Sequence, residues 1–170
     1  MILPEIRLDN GQRLTLRPEQ PEDAPFLFRL YASTREDELT LTGWDDTTRA
    51  RFLQGQFQAQ RTGYRSQFPN GEFDIVLLDS TDTGRIVLNQ MADKVRLVDL
   101  VLAPPARNRG LGTALTKALL AEAARPNQPV RLHVIRHSPA VRLYQRLGFG
   151  KIGEHGFHDE MEWRPIAMKP

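Results

Sequence analysis

A basic, glycine-containing turn in the middle of the chain has the residue types of an anion-binding site. It reads Arg107-Asn108-Arg109-Gly110-Leu111-Gly112-Thr113 and runs into a stretch with apolar residues at helical spacing. Glycines let the backbone approach a ligand closely, and the first turn of a helix presents free N–H groups at the positive end of its dipole. The turn is therefore typical of a binding site for phosphate or pyrophosphate. The structural alternative is a tight strand-to-helix connection that binds no ligand.

Two other phosphate motifs are excluded by single residues. A Walker loop ends in Gly-Lys-Ser or Gly-Lys-Thr, and no such triplet occurs. The dinucleotide fingerprint needs Gly or Ala where Leu115 stands, and a carboxylate about twenty residues further on, where Val130 and Arg131 lie.

A carboxylate and a phenol flank the turn in the sequence. Asp99 interrupts an apolar strand, and a lone carboxylate there is costly to bury unless it is paired or functional. It is a candidate general base, with an ion pair to Arg96 or Arg131 as the structural alternative. His133 is the second candidate base, and Tyr144, from the residues alone, is interpreted as a core aromatic residue.

The elements that must position these residues follow from local patterns. A hairpin is predicted around Asp9-Asn10-Gly11, and Ser33–Gly43 is predicted to be irregular. The helix after Asp45 has a sparse apolar stripe, which predicts that it covers the periphery of the fold and does not form the core. The other predicted elements are helices over 22–33, 45–68, the stretch after Gly112 and Pro139–Leu147, and strands over 73–79, 84–91, 95–103, 130–136, 149–155 and 158–165.

Length and composition limit the class of protein. At 170 residues, with 40% apolar and 26% charged residues, we expect one domain over 1–170. The absence of cysteine excludes disulfides, thiolate nucleophiles and cysteine-zinc sites. No secretion signal or membrane span is predicted, so a cytoplasmic location is expected. The net charge of +2, without blocks of like charge, argues against nucleic-acid binding.

Two sequence blocks together resemble the GNAT-type N-acetyltransferase superfamily. Its R/Q-x-x-G-x-G/A motif is matched by Arg107, Gly110 and Gly112, and the preceding L-x-V-x-P by Leu100, Leu102 and Pro104. Its N-P-A-x-x-L-Y-x-x-x-G-F block is matched by Ser138-Pro139-Ala140, Leu143-Tyr144 and Gly148-Phe149, with Ser138 in place of Asn. The blocks span about residues 95 to 155, while the N-terminal 70 residues fit only in topology.

The resemblance implies an α/β (α+β) fold with a mixed, mostly antiparallel sheet of about seven strands and about four helices. In that family, acetyl-CoA lies where the fourth and fifth strands splay apart; here these are 95–103 and 130–136. The residues thereby assigned to acetyl-CoA are Leu100, Val101, Leu102, Arg107, Asn108, Arg109, Gly110, Leu111, Gly112, Thr113, Ser138 and Tyr144.

The resemblance also implies a reaction: transfer of acetyl from acetyl-CoA to a primary amine by direct attack in a ternary complex, without a metal. Tyr144 would protonate the leaving thiolate, an N–H near Leu100–Leu102 would stabilise the oxyanion, and Asp99 would serve as the base. Ser138 is expected to cap its helix and bond a pantetheine amide. His137 is a candidate to share that role.

The acceptor side is predicted from the N-terminal lid and the C-terminal hairpin. The candidates are Tyr31, Arg35-Glu36-Asp37-Glu38, Trp44, Tyr64, Phe157, His158 and Glu160. His155, His158, Asp159 and Glu160 together suggest metal ligands, but their spacing favours surface residues of the hairpin. The acceptor can be a small-molecule or a peptide amine, and the acyl group can be slightly longer than acetyl. A homodimer is also left open. A non-catalytic CoA-binding or regulatory module and an arginine-rich nucleic-acid binder are the competing functions.

Overall fold

The computed structural model describes residues 1–166 and contains one eight-stranded sheet in the order β1-β2-β3-β4-β5-β6-β8-β7. Every neighbouring pair is antiparallel except β5 and β6, which are parallel. The strands are β1 (Ile6–Arg7), β2 (Arg13–Pro18), β3 (Glu72–Leu78), β4 (Thr81–Gln90), β5 (Val95–Leu102), β6 (Val130–Ile135), β7 (Gly150–His155) and β8 (His158–Trp163). The predicted α/β fold with a mostly antiparallel sheet is confirmed.

Five α-helices cover the sheet. They are α1 (Ala24–Ser33), α2 (Glu36–Thr40), α3 (Asp46–Gln67), α4 (Leu111–Ala124) and α5 (Pro139–Arg146). The short helix α2 lies in the stretch predicted to be irregular, where burial of Leu39 at 5% exposure anchors it. No helix within residues 1–166 has the combination of length and apolar character that crossing a membrane requires.

The sheet separates two apolar clusters. The larger cluster includes Leu115 and Leu119 of α4 together with Leu97 and Leu132 from the sheet. The smaller cluster joins α1 and α3 to the opposite face. The prediction that α3 is only a peripheral cover was wrong, because its Phe57 is 1% exposed and lies at the centre of that smaller cluster.

The sheet opens between its two parallel strands. Pairing of β5 with β6 is limited to Val95↔Val130, Arg96↔Arg131 and Leu97↔Leu132. Both strands continue beyond these pairs, so the remainder of β5 and the end of β6 diverge as the predicted splayed pair does. On its other edge β5 stays paired with β4 as far as Leu102, so the gap leaves one edge of β5 free.

A β-bulge lies where the gap begins. On β4, Val87 is opposite Asp99 while the next residue, Leu88, is opposite Leu97, so Val98 is an extra residue in β5. An extra residue shifts the alternation of side chains along a strand by one position. Leu97 and Leu100 consequently lie in or against the larger cluster, while Val101 packs against the smaller one.

Candidate active site

The free edge of β5 offers backbone donors to the gap. The N–H of Ala103 donates to the carbonyl of Thr83 on β4, at 2.8 Å. Because the direction of the N–H alternates along a strand, Val101 also faces β4, while the amides of Leu100 and Leu102 face the gap. The backbone of β5 can therefore bind an extended ligand there and present an N–H to a carbonyl oxygen.

A cavity of about 1080 Å³ lies at this gap and extends beneath α1 and α3. Of the residues assigned to catalysis or cofactor binding, five line it: Asp99, Leu100, Val101, Ser138 and Tyr144. The two further candidates, His133 and His137, line it as well. Leu102 and the turn Arg107–Thr113 lie outside this lining and form the junction between β5 and α4. The predicted residues thus form two groups: one lines the cavity, and the other forms the turn at the start of α4.

The turn before α4 has the backbone conformation that its glycines predicted. Gly110 occupies the N-cap position with φ +78°, in the left-handed region, and Asn108 has φ +57°. The N–H of Ala114 donates to the carbonyl of Gly110, at 3.0 Å, so the N–H groups of Leu111–Thr113 precede the first intrahelical bond. These groups and the helix dipole form an anion cradle.

The two arginines of the turn are engaged by the protein itself. Arg107 donates from Nε to the carbonyl of Leu102, at 2.9 Å, and from Nη2 to Ser33 Oγ, at 2.8 Å. These bonds fix the turn to the end of β5 and to α1. Arg109 is exposed and donates to Gln12 Oε1, at 2.9 Å. Arg107 therefore orients the cradle, while the exposed Arg109 contributes positive charge beside it.

Tyr144 lies on α5 with its ring buried at 9% exposure. The ring packs edge-on against Phe149, with 5.4 Å between centroids. Burial, and secondarily the negative charge of Asp99, raise the pKa of the phenol to about 12. Its hydroxyl has no hydrogen-bond partner within residues 1–166, and the residue lines the cavity. It is a protonated donor over the whole neutral range.

Asp99 is ion-paired, but with a residue that the sequence did not suggest. Its Oδ2 accepts hydrogen bonds from Nε, at 3.1 Å, and Nη2 of Arg85, a buried residue of β4. The suggested partners are engaged elsewhere: Arg131 bonds Glu162, at 2.6 Å, and Arg96 contacts His133. Both Arg85 contacts reach Oδ2, so Oδ1 receives no hydrogen bond from the described residues.

His133 is placed on the cavity wall with Arg96 beside it. Nη2 of Arg96 lies 2.9 Å from Nδ1 of His133. An arginine can only donate, so this contact assigns Nδ1 as the acceptor and leaves the ring proton on Nε2. Burial, followed by the charge of Arg96, lowers the pKa of His133. A ring whose free lone pair is already occupied is poorly arranged to take a proton from an amine.

Three potential metal ligands meet on the exposed face of the C-terminal strands. Ligand atoms of His133, His155 and Glu160 lie within 4.8 Å of one another, on β6, β7 and β8 respectively. The contact from Arg96 opposes a metal here, because it places a cation beside the cluster, occupies the lone pair of Nδ1 of His133 and leaves the ring proton on Nε2. The cluster differs from the His155, His158, Asp159 and Glu160 set weighed from sequence.

Ser138 occupies the N-cap position of α5, but its hydroxyl makes no capping bond. The expectation that its side chain caps the helix was therefore wrong. The hydroxyl is buried and has no partner within residues 1–166, and the residue lines the cavity. A buried polar group without a partner is costly, so Ser138 is suited to bond a polar ligand group.

The acceptor candidates divide between the cavity wall and the outer surface. Those that line the cavity are Tyr31, Arg35, Glu38, Tyr64, Phe157 and His158, while Glu36, Asp37, Trp44 and Glu160 do not. Sequence reasoning missed Gln60, Arg85 and Arg96 as parts of the wall. The signal for Arg85 was a charged residue inside an otherwise apolar strand, the same signal that singled out Asp99.

Comparisons with known proteins agree on one family. A family model described as an acetyltransferase (GNAT) domain matches residues 44–170. The PaiA N-acetyltransferase from Thermoplasma acidophilum, solved in complex with coenzyme A, is 23% identical, with 89% of this chain and 98% of that chain covered at a TM-score of 0.65. An acetyltransferase from Thermus thermophilus is 21% identical (89% and 96% covered, TM-score 0.62), and Ard1 from Thermoplasma volcanium is 21% identical (90% and 98%, TM-score 0.60).

Proposed function

The chain belongs to the GNAT acetyltransferase family, and from that premise we propose that it transfers an acetyl group from acetyl-CoA to a primary amine by direct attack in a ternary complex. One observation carries the proposal: β5 and β6 part after Leu97 and Leu132, and Tyr144 and Asp99 line the cavity that opens there. Acetyl-CoA supplies the acetyl group, and the chain's own residues bind and orient the two substrates and exchange protons with them.

Three features of the chain fit the donor. The N–H groups of Leu111–Thr113 and the exposed Arg109 suit a pyrophosphate, and the free edge of β5 suits an extended arm with amide groups. The partnerless hydroxyl of Ser138 is available for one of those amides. The N–H groups, the edge of β5 and the hydroxyl are donors or acceptors that the fold leaves unused, which supports assigning the predicted residues to acetyl-CoA.

Proton transfer follows from the two titratable groups on the cavity wall. Oδ1 of Asp99 accepts a proton from the ammonium of the acceptor, directly or through water, so that the nitrogen lone pair attacks the thioester carbonyl. The N–H of Leu100 stabilises the resulting oxyanion, a contribution of roughly 10²- to 10³-fold in related sites. As the C–S bond breaks, Tyr144 donates its phenol proton to the thiolate sulfur, and the second proton that the attacking nitrogen loses in becoming an amide passes through water to the tyrosinate.

The test is replacement of Tyr144 by Phe, which keeps the packing against Phe149 and removes only the hydroxyl. We expect kcat for thiol release in the presence of an amine to fall about 10²-fold or more, with acetyl-CoA affinity unchanged. Affinity is measured by calorimetry and turnover by free-thiol detection over an amine panel. Unchanged turnover would remove Tyr144 from the acid role. Retained CoA binding without turnover of any amine would favour a binding module instead.

A further inference from the structure

The charged residues lining the large cavity are almost all neutralised within the protein. Its side chains of fixed charge are four arginines and two acids: Arg35, Arg85, Arg96, Arg136, Glu38 and Asp99. Arg35 pairs with Glu38 at 2.9 Å, and Arg85 pairs with Asp99. Arg136 pairs with Asp159, at 3.1 Å, and with Glu154, at 3.0 Å, from the C-terminal hairpin.

Arg96 is the exception. Within residues 1–166 no carboxylate lies within ion-pair distance of its guanidinium. Its contacts are the Nδ1 of His133, at 2.9 Å, and the ring of Phe68, whose centroid lies 5.8 Å from Cζ. Nδ1 acts here as a neutral acceptor, and an aromatic face attracts a cation without neutralising it. The cavity therefore presents one uncompensated cation on a partly apolar wall.

The bulge places this cation on the same side of the sheet as Asp99. Residues three apart in a regular strand point to opposite faces, but the extra Val98 shifts the alternation. Arg96 consequently contacts Phe68 at the end of α3, and Asp99 is held by Arg85, which also bonds Gln60 of α3, at 3.1 Å. Three residues along a strand separate the two Cα atoms by about 10 Å.

We infer that Arg96 binds an anionic group of the acceptor, so that the acceptors are amines carrying a carboxylate or a phosphate. The inference rests on the proposed acetyl transfer and names its substrate class. The amine lies at Oδ1 of Asp99 while the anion lies at Arg96. A guanidinium matches the planar oxygens of a carboxylate or phosphate with two N–H donors, which a neutral or purely cationic amine leaves unused.

The experiment compares 6-aminohexanoate, 6-aminohexyl phosphate and hexylamine, which share one amine and one chain but differ in their ends. For the wild type we expect kcat/KM to favour one of the anionic amines over hexylamine by roughly 10- to 100-fold, the range of a charge-assisted hydrogen bond. The preferred anion distinguishes carboxylate from phosphate. Arg96→Gln should remove the preference without lowering the rate with hexylamine, and Arg96→Lys should restore part of it.

Arg125→Gln is the matched control. Arg125 is exposed after the end of α4 and its removal changes the net charge equally, so it should leave the preference intact. The inference is overturned if the wild type treats all three amines alike, or if Arg96→Gln lowers all three rates together.

A direct binding measurement separates this inference from the proposed function. Calorimetry of the two anionic amines with the CoA-loaded protein should show weaker binding in Arg96→Gln than in the wild type, whether or not turnover occurs. If the wild type binds the anionic amines more tightly than Arg96→Gln but no turnover occurs, the result counts against the proposed acetyl transfer and not against the anion site. Equal binding by the wild type and Arg96→Gln would overturn the anion site.

Discussion

At the scale of single residues, the candidate site combines a phenol and a carboxylate to which we assign opposite roles. Burial, and secondarily the charge of Asp99, raise the pKa of Tyr144 and so favour the protonated form that the proposed acid needs. Arg85 in turn keeps Asp99 oriented through Oδ2 and leaves Oδ1 without a hydrogen bond from the described residues. One buried arginine thus supports the proposed base directly and the proposed acid indirectly.

Asp99→Asn should lower turnover about 10²-fold, because the amide keeps the size of the carboxylate but cannot accept the proton of the ammonium. It should also lower the free energy of unfolding by about 3 kcal/mol, because Arg85 is left buried without its anion. Turnover is measured at saturating acetyl-CoA, and stability by chemical denaturation.

A second variant separates the two effects. Replacing Arg85 by Met in the Asp99→Asn background removes the orphaned cation, so stability should recover while turnover stays low. Recovery of turnover along with stability would show that Asp99 is a structural residue and is not the base.

At this scale the sequence singled out candidate residues but not their contacts. Asp99 stands out as a carboxylate in an apolar strand, and Tyr144 as a match to a motif of the family. The partner of Asp99 could not be predicted, because pairing Arg85 with Asp99 depends on the register between β4 and β5 and on the bulge at Val98. The position of Arg96 on the cavity wall depends on the same register.

At the scale of elements, β4 approaches β5 unusually closely at one glycine. A Cβ added to Gly84 would lie 2.4 Å from the carbonyl oxygen of Val101, which belongs to the strand that borders the gap. Only glycine therefore fits at this point of β4. The position of the free edge of β5 depends on that close approach.

Gly84→Ala should cost about 1–3 kcal/mol of stability, because a backbone oxygen must move to admit the methyl group. It should also weaken acetyl-CoA binding, because the movement displaces β5. Gly55→Ala is the control: it lies inside α3 with open space around it, and should raise stability by up to about 1 kcal/mol. Thermal unfolding and calorimetry measure both. Equal behaviour of the two variants would contradict a tight contact at Gly84.

Element boundaries followed from the sequence where local signals are strong. The turn at Gly110, the start of α5 at Ser138-Pro139 and the strand pattern around Asp99 were all predicted correctly. The short helix α2 was missed because a single buried residue, Leu39, stabilises it through tertiary packing. The contribution of α3 to the core was underestimated for the same reason, since the surface that its Phe57 packs against is formed by distant segments.

At the scale of the whole molecule, a buried phenol, Tyr144, and a half-buried phenol, Tyr64, link stability to alkaline pH. The pKa of Tyr64 and that of Tyr144 are each raised to about 12, above the ordinary value of about 10, and burial is the largest cause in both. Below pH 10 both phenols are protonated in the folded and unfolded chains, so their contribution to stability is fully present. It is lost as the pH rises from about 10 to about 12, because the unfolded chain ionises first.

The free energy of unfolding should therefore decline across that interval more steeply in the wild type than in a variant with both Tyr64→Phe and Tyr144→Phe. Denaturant titrations at a series of pH values measure the difference. Parallel curves for the two proteins would mean that neither phenol changes its ionisation on folding.

Only three residue pairs join β5 to β6, so the sheet consists of two parts, β1–β5 and β6–β8, connected by a short paired segment. Leu100, whose N–H is the proposed oxyanion donor, belongs to the first part, while Tyr144, the proposed acid, lies on α5, which follows β6 of the second part. The alignment of these two groups across a bound thioester therefore depends on the angle between the two parts of the sheet. We therefore expect substitutions in β6, β7 or β8 to alter turnover by changing that angle, even where the substituted residue does not contact a substrate.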